Sequence, residues 1–282
     1  MTEAHHLHVS RAGVSCRSEP FTLRRVMGGE LAEAVSYARR IEATGSDDQG
    51  TWPGGEWFRA RSLPHVYDAN HVVVLEHGFA MSLQEVSAAA DEIQAGLPNR
   101  IVEFVTCPES EPLAAAFRNA GWLEEPLGVM VRGREPDRRV DTSSVRVVDE
   151  SSMRPARAAS IIGEPWATLD AVAQVREKQE RVARGVLTTP LGVIDEGMVV
   201  SFWEVYRVDE IALIESVATV PDHRRRGYTR AVVTRALELT ADRRPVFLLM
   251  DPDDWPQQLY ARLGMDDVGR IARFRKAPPG SA

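Results

Sequence analysis

One strand–loop–helix–strand segment in the second half of the chain constrains the fold more than any other feature. An apolar, β-branched run, Ile211–Val220, leads into a short loop that contains Gly227. Apolar residues then recur at helical spacing over Thr229–Thr240, and a continuous apolar run follows at Val246–Met250. A helix that connects two strands of one sheet makes those strands parallel. The segment therefore predicts an α/β fold with at least one parallel pair of strands.

The rest of the second half predicts antiparallel neighbours for that pair. The turn residues at 195–197 lie between two alternating runs, which is typical of a hairpin. In chain order we expect a strand at Val145–Val148, a helix from Asp149 or Ser151 to about Ile162, a helix at Leu169–Ala183, strands at Val186–Ile194 and Met198–Tyr206, a helix at Trp255–Leu263, and a strand at Met265–Phe274 that closes the sheet. The fold class is thus a mixed, mostly antiparallel sheet with flanking helices.

The first half carries a similar but weaker pattern. We expect helices at Leu31–Ala43, Ser82–Ala95 and Leu113–Ala120, strands at His71–Leu75 and Ile101–Thr106, an extended segment at Trp122–Arg132, and a loop at the polar, Gly-rich Asp47–Gly55. Residues 101–122 and 246–265 share the order strand, acidic loop, helix and Gly, which indicates an internal repeat. The polar run Gly133–Arg139 marks a boundary. The sequence predicts a flexible tail over 1–20, one domain over 21–135 and a related domain over 136–282.

Composition limits the classes of partner. The net charge of −7 argues against general binding to nucleic acids or membrane surfaces. Cys16 and Cys107 give neither a disulfide framework nor a metal-ligand spacing, so we expect no metal. The polar start of the chain, with its three early histidines, has no apolar core of a signal peptide, and no apolar run has the length of a membrane span. We expect a soluble, cytoplasmic protein.

A basic cluster interrupts this acidic background where the strand meets the helix. Arg224, Arg225, Arg226 and Arg230 surround Gly227 at the start of the helix. Amide N–H groups at the start of a helix lack intrahelical acceptors, and the helix dipole adds partial positive charge there. Glycine permits a close approach of the backbone, and guanidinium groups bind phosphate oxygens in pairs. The segment predicts a site for a small polyanion such as a diphosphate.

The run Arg224-Arg225-Arg226-Gly227-Tyr228-Thr229 resembles the Arg/Gln-x-x-Gly-x-Gly/Ala signature of the GCN5-related N-acetyltransferase (GNAT) family. Thr229 departs from the pattern, since Gly or Ala is usual there. The resemblance implies acetyl-CoA as co-substrate, with the pantetheine arm on the strand and the pyrophosphate on the loop. The residues that it assigns to the coenzyme are Val217, Ala218, Thr219, Arg224, Arg225, Arg226, Gly227, Tyr228, Thr229 and Arg230. His223 in the same loop is expected to be structural.

A second motif, Leu259-Tyr260-Ala261-Arg262-Leu263-Gly264-Met265, resembles the family's Leu-Tyr-x-x-x-Gly-Phe. The resemblance implies that Tyr260 protonates the leaving thiolate. The Asn that usually precedes this motif is absent, and Asp253 or Asp254 stands near its place. The first half has no equivalent of the basic loop, so the resemblance implies a tandem arrangement with a degenerate N-terminal half.

An amine must lose a proton before it can attack a thioester, so a base is needed. Glu204 and Glu215 both interrupt apolar strands, where burial raises the pKa of a carboxyl group. Strict alternation would place Glu215 on the face of Val217 and Thr219, opposite Ala218. The sequence does not choose between the two glutamates. Trp166 and Trp203 are candidates for the acceptor cavity or for core packing.

These observations predict direct acetyl transfer from acetyl-CoA to a small-molecule or peptide amine, including a protein N-terminus, in a ternary complex. The alternative is a non-catalytic acyl-CoA-binding sensor on the same fold. An acidic cleft would favour polyamine or peptide acceptors, whereas a dry aromatic one would favour arylalkyl amines. A homodimer is compatible with either function.

Overall fold

The computed structural model describes residues 29–162 and 167–277. The predicted tail and Trp166 lie outside the described residues. The elements of the N-terminal half are α1 (Gly29–Gly45), β1 (Asp48–Trp52), β2 (Gly55–Arg59), β3 (His71–Val74), α2 (Leu83–Ile93), β4 (Arg100–Val105), α3 (Glu111–Asn119), β5 (Leu123–Glu124) and β6 (Leu127–Arg132).

The elements of the C-terminal half follow the predicted order. They are β7 (Val145–Val147), α4 (Glu150–Ile161), α5 (Leu169–Gly185), β8 (Leu187–Asp195), β9 (Met198–Val208), β10 (Ile211–Thr219), α6 (Tyr228–Leu239), β11 (Val246–Met250), α7 (Pro256–Arg262) and β12 (Met265–Lys276). Strands β8, β9 and β10 are antiparallel, and β10 is parallel to β11, as the crossover through α6 requires. The predicted mixed, mostly antiparallel sheet with flanking helices is confirmed.

The two halves exchange their last long strands. The described strands form one sheet in the order β1-β2-β3-β4-β12-β6-β11-β10-β9-β8-β7, with β5 beside β12. Strand β12, from the C-terminal half, lies between β4 and β6 of the N-terminal half, and β6 in turn pairs with β11. The expectation that residues 265–274 form a strand that closes the sheet of the C-terminal half is therefore wrong. This strand lies in the middle of the shared sheet, not at an edge.

Side chains on the exchanged strands complete the core of the other half. Phe274 of β12 stacks on Phe117 of α3, with ring centroids 4.9 Å apart. Met130 of β6 packs among the core residues beneath α6. Because truncation of one such buried side chain costs about 2–5 kcal/mol, neither half retains its packing without the other's strand.

The repeated segments occupy equivalent places about this exchange. The run β4–α3–β6 in the N-terminal half corresponds to β11–α7–β12 in the C-terminal half, and each first strand pairs with the other half's last strand. The predicted internal repeat thus coincides with a repeated arrangement of the elements.

The predicted loop at Asp47–Gly55 is wrong. Residues 48–52 and 55–59 form a β-hairpin, in which Gly50 lies against the indole of Trp57 and leaves no space for a side chain. Gly therefore marks close packing in a strand here rather than a loop. Among the helices that the structure describes, none has the length and apolar character needed to cross a lipid bilayer.

Candidate active site

A cavity opens where β10 and β11 diverge. Parallel pairing joins Ala212–Ile214 to Val246–Leu248 and stops there. Beyond this point a cavity of about 260 Å³ is lined by both strands and by the start of α7. The lining residues are Ile214, Glu215, Ser216, Val217, Leu248, Leu249, Met250, Asp251, Asp254, Pro256 and Tyr260. The edge of β10 that faces β11 has no ladder partner after Ile214, so its backbone can bind a ligand.

A β-bulge in β10 shapes this cavity. Glu215 pairs with Glu204 and Ala218 with Phe202, so two residues on β10, Ser216 and Val217, lie opposite the single residue Trp203 on β9. Ser216 takes the left-handed conformation, with φ of 57°, and its Oγ accepts a hydrogen bond from Gln179 Nε2 of α5 at 3.2 Å. The predicted phase of β10 is wrong for this reason. The extra residue places Glu215 on the face of Ala218 and opposite Val217 and Thr219.

Glu215 lines the cavity and makes no ion pair with a described residue. Burial raises the pKa of its carboxyl to about 7, and the Lys178 ammonium on α5 opposes that rise. Asp68 and Glu204 add to the rise because they are also anionic. A carboxyl with this pKa can accept a proton at neutral pH and return it to solvent.

Glu204 faces the same side of the sheet but is fully buried. Its Oε1 lies 2.5 Å from Nη2 of Arg157 on α4, and its Oε2 accepts a hydrogen bond from the Tyr206 hydroxyl at 3.2 Å. Burial raises the pKa of Glu204 to about 7 in spite of Arg157. Since both oxygens contact protein groups, Glu204 fits a structural role better than a base.

Tyr260 reaches the same cavity from α7. Its side chain is 7% exposed, and its hydroxyl makes no hydrogen bond to a described residue. Burial, followed by the charges of Glu215 and Asp254, raises the pKa of Tyr260 to about 12. The phenol therefore stays protonated at neutral pH and can donate its proton. Glu215 and Tyr260 are thus brought together at one cavity.

The loop before α6 presents unpaired amides. Arg225 and Gly227 both take the left-handed conformation, with φ of 64° and 84°. Gly227 is the N-cap, and no side chain caps the helix. Within the described residues, the N–H groups from Arg225 to Arg230 find no acceptor. This arrangement of consecutive free amides forms a concave anion site.

The arginines around this loop differ in whether their guanidinium groups are already paired with other protein groups. Arg230 is 8% exposed and its Nη1 lies 2.6 Å from Asp137, on the connection between the halves. Arg226 lies 3.3 Å from Asp195, and Arg224 Nε donates to the Thr219 carbonyl at 3.2 Å. Arg225 has no side-chain partner among the described residues. Arg225 is therefore the guanidinium most available to an anion, while Arg224, Arg226 and Arg230 also hold the loop.

A chain of hydroxyls explains the threonine in the loop motif. Thr229 Oγ1 lies 2.9 Å from Thr219 Oγ1, which lies 2.8 Å from Ser201 Oγ. The Ser201 hydroxyl also contacts the carbonyl oxygen of Ala218 at 3.2 Å. The Thr229 hydroxyl therefore ties the start of α6 to the end of β10. His223 Nε2 lies 3.5 Å from Asp195 on the β8–β9 turn, and Trp203 is buried in the core beneath α6.

The equivalent place in the N-terminal half lacks each of these features. Parallel pairing of β3 with β4 ends at Val73, so Val74 stands where the other half has Glu215. The start of α2 is closed by a capping box, in which the Ser82 hydroxyl accepts from the Glu85 N–H and the Glu85 carboxylate accepts from the Ser82 N–H. A carboxylate therefore occupies the amides that a phosphate would need. The corresponding cavity has a volume of about 30 Å³, roughly one water molecule.

A buried charge network lies beside that N-terminal cleft. Glu42, His71 and Glu103 bring possible metal-ligating atoms within 4.8 Å of one another. Arg273 of β12 lies 2.5 Å from Glu103 and 2.6 Å from Asp68, so protein cations already balance these carboxylates. Burial lowers the pKa of His71, but the charges of Glu42 and Glu103 raise this pKa by more, so the net shift is upward. The network fits ion pairing better than metal binding.

Sequence reasoning did not identify Gln179, Lys178 or Asp251. The first two lie on α5, more than thirty residues before the bulge in sequence, so their contacts with it follow only from tertiary packing. Asp251 directly follows a predicted strand, and its position at the carboxyl end of β11 is a signal that could have identified it.

Residues 156–265 match the model of the acetyltransferase (GNAT) family. A conserved protein of unknown function from Staphylococcus epidermidis has a similar structure, with a TM-score of 0.58, 15% identity and coverage of 82% of this chain and 92% of that one. A GCN5-related N-acetyltransferase from Kribbella flavida has a TM-score of 0.56 at 15% identity, over 88% and 95%. A tandem GNAT protein from the clavulanic acid biosynthesis pathway has a TM-score of 0.51 at 13% identity, over 86% and 89%. No curated protein matches the sequence significantly. At these identities, the structural similarities establish the tandem fold alone.

Proposed function

We propose, from the membership of residues 156–265 in the GNAT acetyltransferase family, that this protein transfers an acetyl group from acetyl-CoA to an amine. The observation that carries the proposal is the shared cavity at the β10–β11 divergence. It holds a carboxyl group with a raised pKa, Glu215, and a protonated phenol, Tyr260. The uncapped start of α6 follows the same strand.

The coenzyme would bind along β10. Its diphosphate would accept hydrogen bonds from the free amides of Arg225 to Arg230, with Arg225 supplying charge. Its uncharged pantetheine arm would follow the open edge at Val217–Thr219 toward the cavity. The thioester would then lie beside the bulge, where strand N–H groups can polarise its carbonyl.

The chemical step needs no covalent intermediate on the protein. Glu215 takes one proton from the bound ammonium, directly or through water, and the free amine attacks the thioester carbonyl. The C–N bond forms and the C–S bond breaks, while Tyr260 protonates the leaving thiolate. The second proton of the attacking nitrogen restores the phenol. The products are the acetamide and CoA.

Calorimetry with acetyl-CoA and desulfo-CoA tests the coenzyme site. We expect both to bind the wild type, and Gly227→Glu to abolish binding because it places a carboxylate among the amides. Gly197→Glu is the matched control, because Gly197 has a similar φ of 81° and open surroundings in the β8–β9 turn. Equal affinity in the wild type and Gly227→Glu would reject the site.

Turnover separates an enzyme from a sensor. Release of free CoA thiol with a panel of amines is expected for the wild type, with large losses in Glu215→Gln and Tyr260→Phe. Tight binding of acetyl-CoA without turnover on any amine would instead support an acyl-CoA sensor.

A further inference from the structure

We propose that the acceptor is a small diamine, whose second ammonium group is bound by Asp251 and Asp254. The inference rests on the proposed function and specifies the substrate of the same cavity. It follows from the carboxyl groups that line the cavity and from the lack of positive charge on the part of the coenzyme that would enter it.

The cavity carries three carboxyl groups and no compensating cation in its wall. Glu215, Asp251 and Asp254 line it, and none of its described lining residues is basic. No described Lys, Arg or His lies within 4.0 Å of these carboxylates. Asp251 Oδ1 accepts the N–H of Asp253 at 2.9 Å, and Asp254 Oδ1 accepts the N–H of Trp255 at 2.7 Å. The second oxygen of each aspartate has no partner among the described residues.

Tyr260 gives independent evidence that this cavity holds a ligand. The side chain is more than nine-tenths buried, yet its hydroxyl lines the cavity without a hydrogen-bond partner in the described chain. The hydroxyl oxygen is open to the cavity, so it is positioned to donate a hydrogen bond to a molecule bound there.

Acetyl-CoA cannot balance the carboxylates. Its negative charges would lie at the α6 loop, and the pantetheine arm that enters the cavity is uncharged. Lys178 acts electrostatically on Glu215 from α5, but Asp68 opposes it from the N-terminal half. Asp251 and Asp254 are exposed, so water solvates them in the free protein, and the acceptor is the molecule that can bring positive charge to them.

One ammonium group does not suffice for this role. The reacting ammonium gives its proton to Glu215, which leaves Asp251, directly after β11, and Asp254, just before α7, without a cation. A second ammonium on the same molecule would satisfy them by charge-assisted hydrogen bonds. A carboxylate in place of the second ammonium would be repelled by the aspartates, which disfavours amino acids such as 4-aminobutanoate.

The test compares three acceptors of similar length: 1,4-diaminobutane, n-butylamine and 4-aminobutanoate. With acetyl-CoA saturating, we expect kcat/KM for the diamine to exceed that for butylamine at least tenfold, and no turnover of 4-aminobutanoate. Asp251→Asn and Asp254→Asn keep the carbonyl acceptor of the turn and remove the charge. Each variant is expected to lower the ratio of kcat/KM for the diamine to kcat/KM for butylamine. The larger part of this change should be a higher KM for the diamine.

Asp253→Asn is the matched control, since Asp253 lies in the same loop but does not line the cavity. It should leave the preference for the diamine unchanged, because its exposed carboxylate is not part of the cavity wall. Equal kcat/KM for diamine and monoamine would overturn the inference. So would a preference for the amino acid, or acetylation of a peptide amine with no activity on the diamine.

Calorimetry with 1,4-diaminobutane on protein saturated with desulfo-CoA makes the result independent of turnover. Binding that weakens at least tenfold in Asp254→Asn supports the acceptor class even if no amine is acetylated, in which case the proposed enzyme activity alone fails. Absence of diamine binding to the coenzyme complex rejects the acceptor class even if another amine is acetylated.

Discussion

Glu204 and Glu215 lie directly opposite each other on β9 and β10, but only Glu215 lines the cavity. Glu204 is held by Arg157 and Tyr206, whereas Glu215 has no such partner. The pair therefore separates into a structural carboxylate and an available one, although burial raises the pKa of each to about 7.

The pH dependence of the reaction should follow Glu215. Because the deprotonated form is the base, kcat/KM is expected to fall as the pH decreases through about 7. Glu215→Gln should lower kcat about 10²–10⁴-fold, the usual contribution of a general base, and remove this acidic limb. Acetyl-CoA affinity, measured by calorimetry, should stay unchanged. An unaltered acidic limb in Glu215→Gln would assign the base to another group.

The ion pair of Glu204 should matter for stability instead. Arg157→Met leaves a buried carboxyl without its cation, which costs about 3–5 kcal/mol. The folded state then favours protonated Glu204 even more strongly, so the loss should be larger at pH 8 than at pH 6. Urea unfolding at both pH values measures it. Arg154→Met on the same helix is the control, because the exposed pair of Arg154 with Glu180 should contribute less than about 1 kcal/mol.

The sequence predicted local features well and distant relationships poorly. The helix predicted from Ser82 and the crossover through α6 follow from neighbouring residues, and both are present. The partner of β12 does not follow from neighbouring residues, since the exchange with β6 depends on contacts made by strands more than a hundred residues apart. Composition likewise could not reveal the bulge at Ser216, because one inserted residue reverses the faces of β10 without changing its apolar character.

The same limit applies to the basic cluster. Its location between strand and helix was predictable, and the structure has that loop with unpaired amides. The pairing of Arg230 with Asp137 was not predictable, because it joins the loop to the connection between the halves. A count of arginines therefore overestimated how many are free for an anion.

Gly227 should contribute to the affinity for acetyl-CoA as well as to the stability of the fold. Alanine in the left-handed conformation costs roughly 1–2 kcal/mol, so Gly227→Ala and Gly197→Ala should both lower the free energy of unfolding by similar amounts. Only Gly227→Ala should weaken acetyl-CoA binding, by roughly tenfold or about 1.4 kcal/mol, because the strained turn reorients the free amides. Equal acetyl-CoA affinity in both variants would show that the loop geometry is not used.

Gln179 should position the bulge that holds Glu215. Its hydrogen bond to Ser216 stabilises a left-handed serine, and α5 is itself anchored to the N-terminal half through the 2.6 Å contact of Arg181 with Asp47. Gln179→Leu is therefore expected to lower kcat about tenfold, equivalent to one net hydrogen bond of about 1.5 kcal/mol, with KM for acetyl-CoA unchanged. Ser216→Gly permits the same φ without the hydroxyl, so Gln179→Leu should have little further effect in that background. Additive losses in the double variant would show that Gln179 acts on activity by another route.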